Sequence, residues 1–545
     1  MVMILIDKLY IKIFTRRSVF CFFIMIFLFL SCILRIATIM MGNYAELQES
    51  LTTKSIKISK LRGTIYDCNM VPLTNTNPQK IAIVSPTKRC ISAISNVLDD
   101  DSLDAALQNL NNNSPAICYI NEEISCDGIA TTITYNRDVK TPVACHLIGY
   151  TDDTGHGVTG LELAYDELLY SDKYLTALFA CDGKGNVLKG VEPYFENDLS
   201  QVLSGVVTTI DINIQSIVEE QISVLKSGCA IVAEVANSKI RAMASMPTFD
   251  ITNLAKSLNE ENSPLLNRAL CTFNVGSIFK PCVAIAAIES NYANISFDCK
   301  GYMEIGDRIF RCHNLSGHGE MNLCNALAQS CNCFFYNCAV TIGGEYIQKT
   351  ASILNIGEKI KIADKIYAAR GKLTDTNDLQ NFGALANLSI GQGNLMASPI
   401  SMLNLYIAIA SNGSYYVPSV VEKTIKDGAV DEYDIGGVTK VMKPETAEIL
   451  RQYLKTVITE GTGIDAALIN TTAAGKTATA QTGRYYTDKT EITNSWFCGF
   501  FPADNPQYVI IVMSDSKSDV TTSSIFAKIA NGIAEYKGIN GQNND

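Results

Sequence analysis

The sequence predicts an α+β protein, and three observations carry that prediction. "CAIVAEVANSKIRAMAS" (229–245) alternates apolar and small residues on either side of Asn237-Ser238, the pattern of a β-hairpin. "NSWFCGFF" (494–501) and "YVIIVM" (508–513) read as two late strands joined by a turn from Pro502 to Pro506. Between the early hairpin and the late strands lies mostly helical sequence, so one sheet is assembled from both ends of an inserted helical region.

The elements follow in chain order. Residues 1–17 form a short tail holding Lys8, Lys12, Arg16 and Arg17. Residues 18–34, SVFCFFIMIFLFLSCIL, are 17 residues without a charge. As a helix they span about 26 Å, slightly less than a hydrocarbon core. After Arg35 the apolar run resumes, so the expected transmembrane anchor is 18–41, with Arg35 reaching the headgroups at its outer end. The basic residues before the span place the N-terminus in the cytoplasm and everything after residue 41 outside. A cleaved signal peptide is the competing reading, but no small-x-small site follows the apolar run.

Residues 42–205 read as an elongated, β-rich pedestal. Its first part, 42–60, is polar and helix-prone and suggests a stalk. Short strand-like runs follow at KIAIVS (80–85), PAICYI (115–120) and TPVACHLIGY (141–150). The remaining chain, 206–545, reads as a catalytic domain. Asp211 is placed to cap a helix with Ile214, Ile217, Val218, Ile222 and Leu225 on one side. Ile525, Phe526, Ile529 and Ile533 mark a final amphipathic helix over 522–536.

Composition narrows the function. The formal net charge is -11 with no large basic cluster, which argues against nucleic acid as a partner. There are 18 cysteines, 16 of them beyond residue 41. An extracytoplasmic domain with so many usually holds disulfides. Here Cys229, Cys282 and Cys498 sit inside apolar runs, where a thiol serves as a small hydrophobe, so free thiols are expected in a source that does not oxidise them.

The chemistry begins at "NVGSIFKP" (274–281). Ser277 and Lys280 share one helix face, and Pro281 confines the helix start to their neighbourhood. The serine then sits at a helix N-terminus, where free amides favour developing negative charge. Only four histidines occur and no G-x-S-x-G is present, so a Ser-His-Asp enzyme is disfavoured and Lys280 is the candidate base. Further on come Ser330-Cys331-Asn332, then Lys476-Thr477-Ala478-Thr479.

S-x-x-K, S-x-N and K-T-x-T in this order are the signature of the penicillin-recognising serine enzymes. Behind an anchor and pedestal, the chain resembles class B penicillin-binding proteins. The resemblance extends to "LRGTIYDCNMVPL" (61–73), "HLIGYTDDTGHGVTGLELAYDELL" (146–169), "TTIDINIQ" (208–215) and "SIGQGNLMASPISM" (389–402). No glycosyltransferase module precedes residue 200, as expected of class B rather than class A, and no room is left for appended PASTA repeats. The resemblance implies the penicillin-binding transpeptidase fold, an antiparallel sheet flanked by helices plus a helical subdomain. It also implies a D,D-transpeptidase that cross-links peptidoglycan stem peptides and is blocked by β-lactams. Ser277 would form the acyl-enzyme and Lys280, uncharged, would take its proton. Ser330 would pass a proton to the leaving amine and Asn332 would bind substrate backbone. Lys476 would depress neighbouring cations and, with Thr477 and Thr479, meet the substrate carboxylate. The amides of Ser277 and Thr479 would form the oxyanion hole. A SEDS-type glycosyltransferase is the implied partner, and no cofactor is needed for catalysis.

One departure stands out: the family usually has glycine where this chain has Ala478. A methyl there is expected to crowd substrate lying along the strand. It motivates the alternative of a weak or inactive scaffold for division or sporulation, beside a β-lactamase or D,D-carboxypeptidase. Finally, Cys299, Cys312, His318 and Cys331 form C-x12-C-x5-H-x12-C. Three thiolates and an imidazole suit tetrahedral Zn²⁺, and elongation-type relatives are similar in holding a metal at matching places. The set is either a structural zinc site or a group of buried thiols, with Cys324, Cys333 and His313 as rival ligands.

Overall fold

The computed structural model describes residues 2–41, 52–137, 142–197, 204–306, 308–434, 436–485, 487–516 and 518–539. A helix runs over Val2–Met41. Within it Lys12–Thr38 has a mean hydropathy of 2.7 with none of its surface buried, long and apolar enough to cross a membrane.

The chain forms two compact units and passes between them repeatedly. The first comprises Met1–Leu61, Pro78–Thr134 and Lys173–Gln201; the second comprises Arg62–Asn77, Tyr135–Asp172 and Val202–Asp545. The expected linear boundary at 205/206 is thus crossed by two early segments that pack with the later chain.

In the first unit the strand Asn77–Val84 lies between Ala116–Ile120 and Ile129–Asn136. Ala82 and Val84 point at helices Lys88–Ile94 and Asp100–Leu110, burying Cys90, Ile94, Ala106 and Leu110. Thr87 and Asp99 cap those helices by accepting from the amides of Cys90 and Ser102. Ile83, on the opposite face, joins Ala177, Phe179, Cys181 and Val187. Against this second cluster packs Thr53–Arg62, a strand beside Tyr170–Ala180. This corrects the expected helical stalk over 42–60. Ser55-Ile56-Lys57-Ile58-Ser59 repeats every two residues, so Ile56 and Ile58 reach the cluster together only in extended chain. Residues 42–51 lie outside the described residues.

The second unit is built on an antiparallel five-stranded sheet. Its order is Ile240–Met246, Gly228–Glu234, Tyr508–Ser514, Glu491–Phe501, Ala474–Tyr485. The expected hairpin turns at Ser238, which adopts φ 57°. Alternation along the strands feeds two cores. Val232, Phe497, Ile510 and Val512 face helices Ile212–Ile222 and Thr522–Lys537, burying Ile214, Val218, Phe526 and Ile529. Cys229, Ile231, Trp496, Cys498, Ile511 and Met513 face the larger core of inserted helices, among them Lys280–Glu289 and Pro399–Ala410. Burying each large side chain contributes about 1.5–3 kcal/mol. Cys229, Cys282 and Cys498 are buried free thiols.

The two early segments of this unit are locked by charge. Arg62 Nε donates to Glu162 Oε2 at 2.8 Å and its Nη1 lies 2.7 Å from Asp166. Arg137 reaches Glu162 Oε1 at 2.7 Å. The 141–150 run, expected as strand, instead turns into a short helix, Cys145–Ile148. Adjacent Leu147 and Ile148 are both buried in one core, which a strand would not allow. Gly149, at φ 83°, closes the turn; a Cβ there would lie 2.0 Å from the Thr159 carbonyl oxygen.

Candidate active site

Ser277 sits in a 3₁₀ turn, Gly276–Phe279, that leads directly into the helix Lys280–Glu289 with Pro281 in its first turn. The turn is held from several sides. Gly276 donates to the Gly391 carbonyl at 2.9 Å, which places the G-Q-G stretch beneath the serine. Trp496 Nε1 donates to Asn274 O at 2.9 Å, and the Tyr406 hydroxyl donates to Ile278 O at 3.2 Å. Gly276 has φ 60°, and a Cβ on it would lie 3.1 Å from Ala480 Cβ and 3.5 Å from Ala478 Cβ.

That last distance places Ala478 near the turn before Ser277. Along Ala474–Tyr485, Lys476, Ala478 and Ala480 are buried, whereas Thr477 and Thr479 are more open. The Ala478 methyl lies close to the turn before Ser277, and Ala478 also lines the cleft between Thr477 and Thr479.

Lys280 is fully buried. Its Nζ donates to Ser330 O at 2.6 Å, Asn332 Oδ1 at 2.8 Å and Ser330 Oγ at 3.1 Å. S-x-x-K and S-x-N are thus joined at one ammonium or amine. Burial pulls the lysine down to about 7, against the opposing pull of nearby cysteine sulfurs. Ser277 lines the cleft, but its hydroxyl has no hydrogen-bond partner among the described residues, Lys280 included. Ser330 is held at φ 53°, a left-handed conformation unusual for serine. Cys331 then caps the helix Asn332–Ile342, its sulfur accepting from Phe334 N at 3.5 Å.

Lys476 is also fully buried, and burial followed by the charge of Lys280 holds it well below the ordinary lysine range. Its Nζ donates to Thr477 O at 3.2 Å and to the hydroxyls of Thr477 and Thr462 at 3.4 Å each. The Thr462 and Thr477 hydroxyls lie 2.7 Å apart. Thr462 N donates to Ala328 O at 3.0 Å, tying the segment before Ser330 to the lysine strand. A cleft of about 530 Å³ is lined by Ser277, Ser330, Asn332, Thr462, Thr477 and Thr479, and runs on to Asp465 and Thr521–Ser523. Sequence reading missed Thr462, Asp465 and the helix start at 521–523. The only signal for Thr462 is its bracketing by Gly461 and Gly463; a Cβ at Gly461 would lie 2.3 Å from Ala328 O.

Beside this wall, one ligand atom each of Cys299, Cys312, His318 and Cys331 lies within 4.8 Å of all the others. Strand Ser296–Cys299 pairs with Gly319–Asn322, which sets Cys299 beside His318. His318 Nδ1 is 3.6 Å from the sulfurs of both Cys299 and Cys312, and Cys312 Sγ is 4.0 Å from Cys331 Sγ. Tetrahedral Zn–S bonds of about 2.3 Å place sulfurs about 3.8 Å apart, so the spacing fits that ion. Within this thiol cluster, hydrogen bonds from Cys331 and Cys333 push the Cys312 thiol down while the same contact pushes Cys331 up. Among the rivals, Cys324 lies 3.8 Å from the Thr456 hydroxyl, while His313 lines the cleft with its Nδ1 3.9 Å from Cys312 Sγ.

Comparison with known proteins adds three findings. Residues 228–535 match the family model described as penicillin binding protein transpeptidase domain. The chain is 27% identical over 393 residues to stage V sporulation protein D of Bacillus subtilis, covering 68% of this chain and 58% of that protein. It is 25% identical over 391 residues to the peptidoglycan D,D-transpeptidase MrdA of Acinetobacter baumannii, covering 66% and 57%. Both alignments span less than two thirds of the relative's length. In fold, it is similar to a crystal structure of penicillin binding protein 3 of Mycobacterium tuberculosis complexed with aztreonam. The TM-score is 0.64 at 21% identity, covering 89% of this chain and 98% of that one.

Proposed function

The chain belongs to the penicillin binding protein transpeptidase family, and on that premise we propose that it is a membrane-anchored serine D,D-transpeptidase of peptidoglycan synthesis. The observation that carries the reading is the arrangement around one cleft of Ser277, Lys280, Ser330, Asn332, Lys476, Thr477 and Thr479.

In this reading Ser277 Oγ attacks the penultimate D-Ala carbonyl of a donor stem peptide, and its proton leaves to the uncharged Lys280. Burial keeps that amine available near neutral pH. The amides of Ser277 and Thr479 stabilise the tetrahedral oxyanion, a contribution of about 10²–10³ in rate. The Ser330 hydroxyl, 3.1 Å from Lys280 Nζ, passes the proton to the departing D-Ala amine. Asn332 holds the substrate backbone. Lys476, Thr477 and Thr479 receive the terminal carboxylate. An amine of a second stem peptide then attacks the ester carbonyl, forming the cross-link and returning the proton to Ser277. β-Lactams react at the same serine.

The N-terminal helix supports membrane anchoring, with the N-terminus cytoplasmic and the catalytic unit outside. A SEDS-type glycosyltransferase is the proposed partner. We also assign Cys299, Cys312, His318 and Cys331 a structural Zn²⁺, which would brace the wall that carries Ser330 and Asn332. Labelling with a fluorescent penicillin tests the catalytic reading. A stable adduct absent in Ser277→Ala is expected. Rapid turnover would point to a β-lactamase or carboxypeptidase, and no adduct would favour a scaffold.

A further inference from the structure

The first compact unit holds two thiols that meet. Cys90 lies in the first turn of the helix Lys88–Ile94. Cys126 opens a tight turn in which its carbonyl accepts from Ile129 N at 3.0 Å. Cys90 Sγ donates to the Asp127 carbonyl at 3.3 Å, and Cys126 Sγ donates to the same oxygen at 3.6 Å. The two sulfurs are also in hydrogen-bond contact with each other. Both are free thiols, Cys90 buried and Cys126 partly open to solvent.

The backbone holds them there. Ser85 N donates to the Gly128 carbonyl at 2.9 Å, which ties the turn to the end of the strand that leads into the helix. Gly128 has φ 89°, and a Cβ on it would lie 3.0 Å from Cys90 Sγ and 3.6 Å from Ser85 Oγ. Only glycine lets the turn press this close to the thiol. Arg89 and Asp127, 2.6 Å apart, bridge helix and turn at the surface. Burial raises the Cys90 thiol, and the Thr87 hydroxyl, donating to its sulfur at 2.9 Å, opposes that. Ser85 Oγ borders the same space and is a second donor within it, buried and with no hydrogen-bond partner among the described residues. The helical layer also has little else to hold it. Among the described residues its core is ten buried side chains, five of them Ala or Cys. A small core of small side chains gains most from a covalent tie.

We propose that Cys90 and Cys126 are a redox-active pair that takes a low-molecular-weight disulfide as its oxidant and, once closed, locks the helical layer of this unit to its sheet. Cys126, the open thiol, attacks one sulfur of the oxidant as its thiolate. The oxidant's S–S bond breaks, a mixed disulfide forms and one thiolate leaves. Cys90 then attacks Cys126 Sγ, the mixed disulfide breaks and the second thiolate leaves. The two protons of the protein thiols end on the two departing thiolates, so two thiols are oxidised and one disulfide is reduced. The new bond joins the start of the helix to the turn before Ile129–Asn136 and restricts the chain between them in the unfolded state.

The test uses the full chain in detergent with glutathione disulfide as the oxidant, followed by alkylation, proteolytic mapping and mass spectrometry. A peptide joining Cys90 to Cys126 is expected to form about tenfold faster than any other cross-link in this unit, and to disappear on reduction with dithiothreitol. In Cys126→Ser, a change at a partly open position that leaves the core intact, Cys90 should stay a free thiol over the same interval. Protease should cut the oxidised chain between residues 88 and 126 about tenfold more slowly than the reduced chain. A stable glutathione adduct on Cys126 with Cys90 left reduced overturns the pair. So does a cross-link from Cys90 to Cys118 in its place, or no oxidation in excess glutathione disulfide. Equal cleavage of the oxidised and reduced chains overturns the lock.

Discussion

Thr462→Val isolates a contact that no catalytic motif contains. The substitution keeps the side chain's shape and leaves the backbone bond to Ala328 O intact, so the loop stays anchored. It removes a 2.7 Å bond to the Thr477 hydroxyl and a 3.4 Å bond from Lys476 Nζ. The first is a full hydrogen bond, worth about 1 kcal/mol net, and the second is long and adds a fraction of that. Thr462 faces the cleft, so water replaces part of the loss in the free enzyme. The net is about 1 kcal/mol of positioning, or about fivefold in the acylation rate. The assay is the second-order rate constant for a fluorescent penicillin, measured with Thr462→Val, Thr477→Val and the double variant. The coupling is expected to be non-additive, because each single change already breaks the shared bond. A rate within twofold of the unmodified chain, or additive losses, would refute the role.

Other expectations follow from the same geometry. Gly276→Ala forces a side chain at φ 60° against Ala480 and should cost more than 100-fold in acylation, roughly 3 kcal/mol in the transition state; labelling rates decide it. Ala478→Gly removes a methyl from a residue that lines the cleft, so penicillin acylation should rise by more than about threefold; a smaller change would mean the methyl does not obstruct the groove. Purified protein should carry one zinc, lost in Cys312→Ser with a lower unfolding midpoint, and equal metal content in both would remove the site. Burial holds His146 neutral, down to about 4, while an unfolded histidine takes its proton near 6.5. Stability is therefore complete above pH 6.5 and declines as pH falls, by about 2 kcal/mol between pH 7 and pH 5. Urea titrations of His146→Gln should show a shallower dependence, and an unchanged slope counts against the assignment.

Much of the sheet could be read in advance because burial on two faces leaves near-continuous apolar runs. Gly228–Glu234, Glu491–Phe501 and Tyr508–Ser514 are such strands. Thr53–Arg62 instead alternates apolar and charged residues, which hid it, and its Ile56 and Ile58 pack on a small cluster formed by distant strands. The Cys145–Ile148 turn depends on Thr159 meeting Gly149, a contact no local pattern encodes. Among the site residues, the lysines and serines were legible because acyl transfer demands those groups at those spacings. The four metal-ligand candidates were legible by residue type alone, since a hairpin and a helix start bring their irregular spacings together. Thr462, Thr522 and Ser523 were not, because a hydroxyl on a polar residue is commonplace until its surroundings are known.

The bond between Arg62 and Glu162 joins residues a hundred positions apart, both lying ahead of the hairpin that opens the five-stranded sheet. A recombinant fragment starting at residue 206 would omit both, along with every other residue that the later chain borrows from the early sequence. Its exposed seam would be prone to aggregation, and its failure to label with penicillin would say nothing about Ser277. Soluble versions are better designed by trimming only the apolar leader and keeping the chain from residue 52 onward.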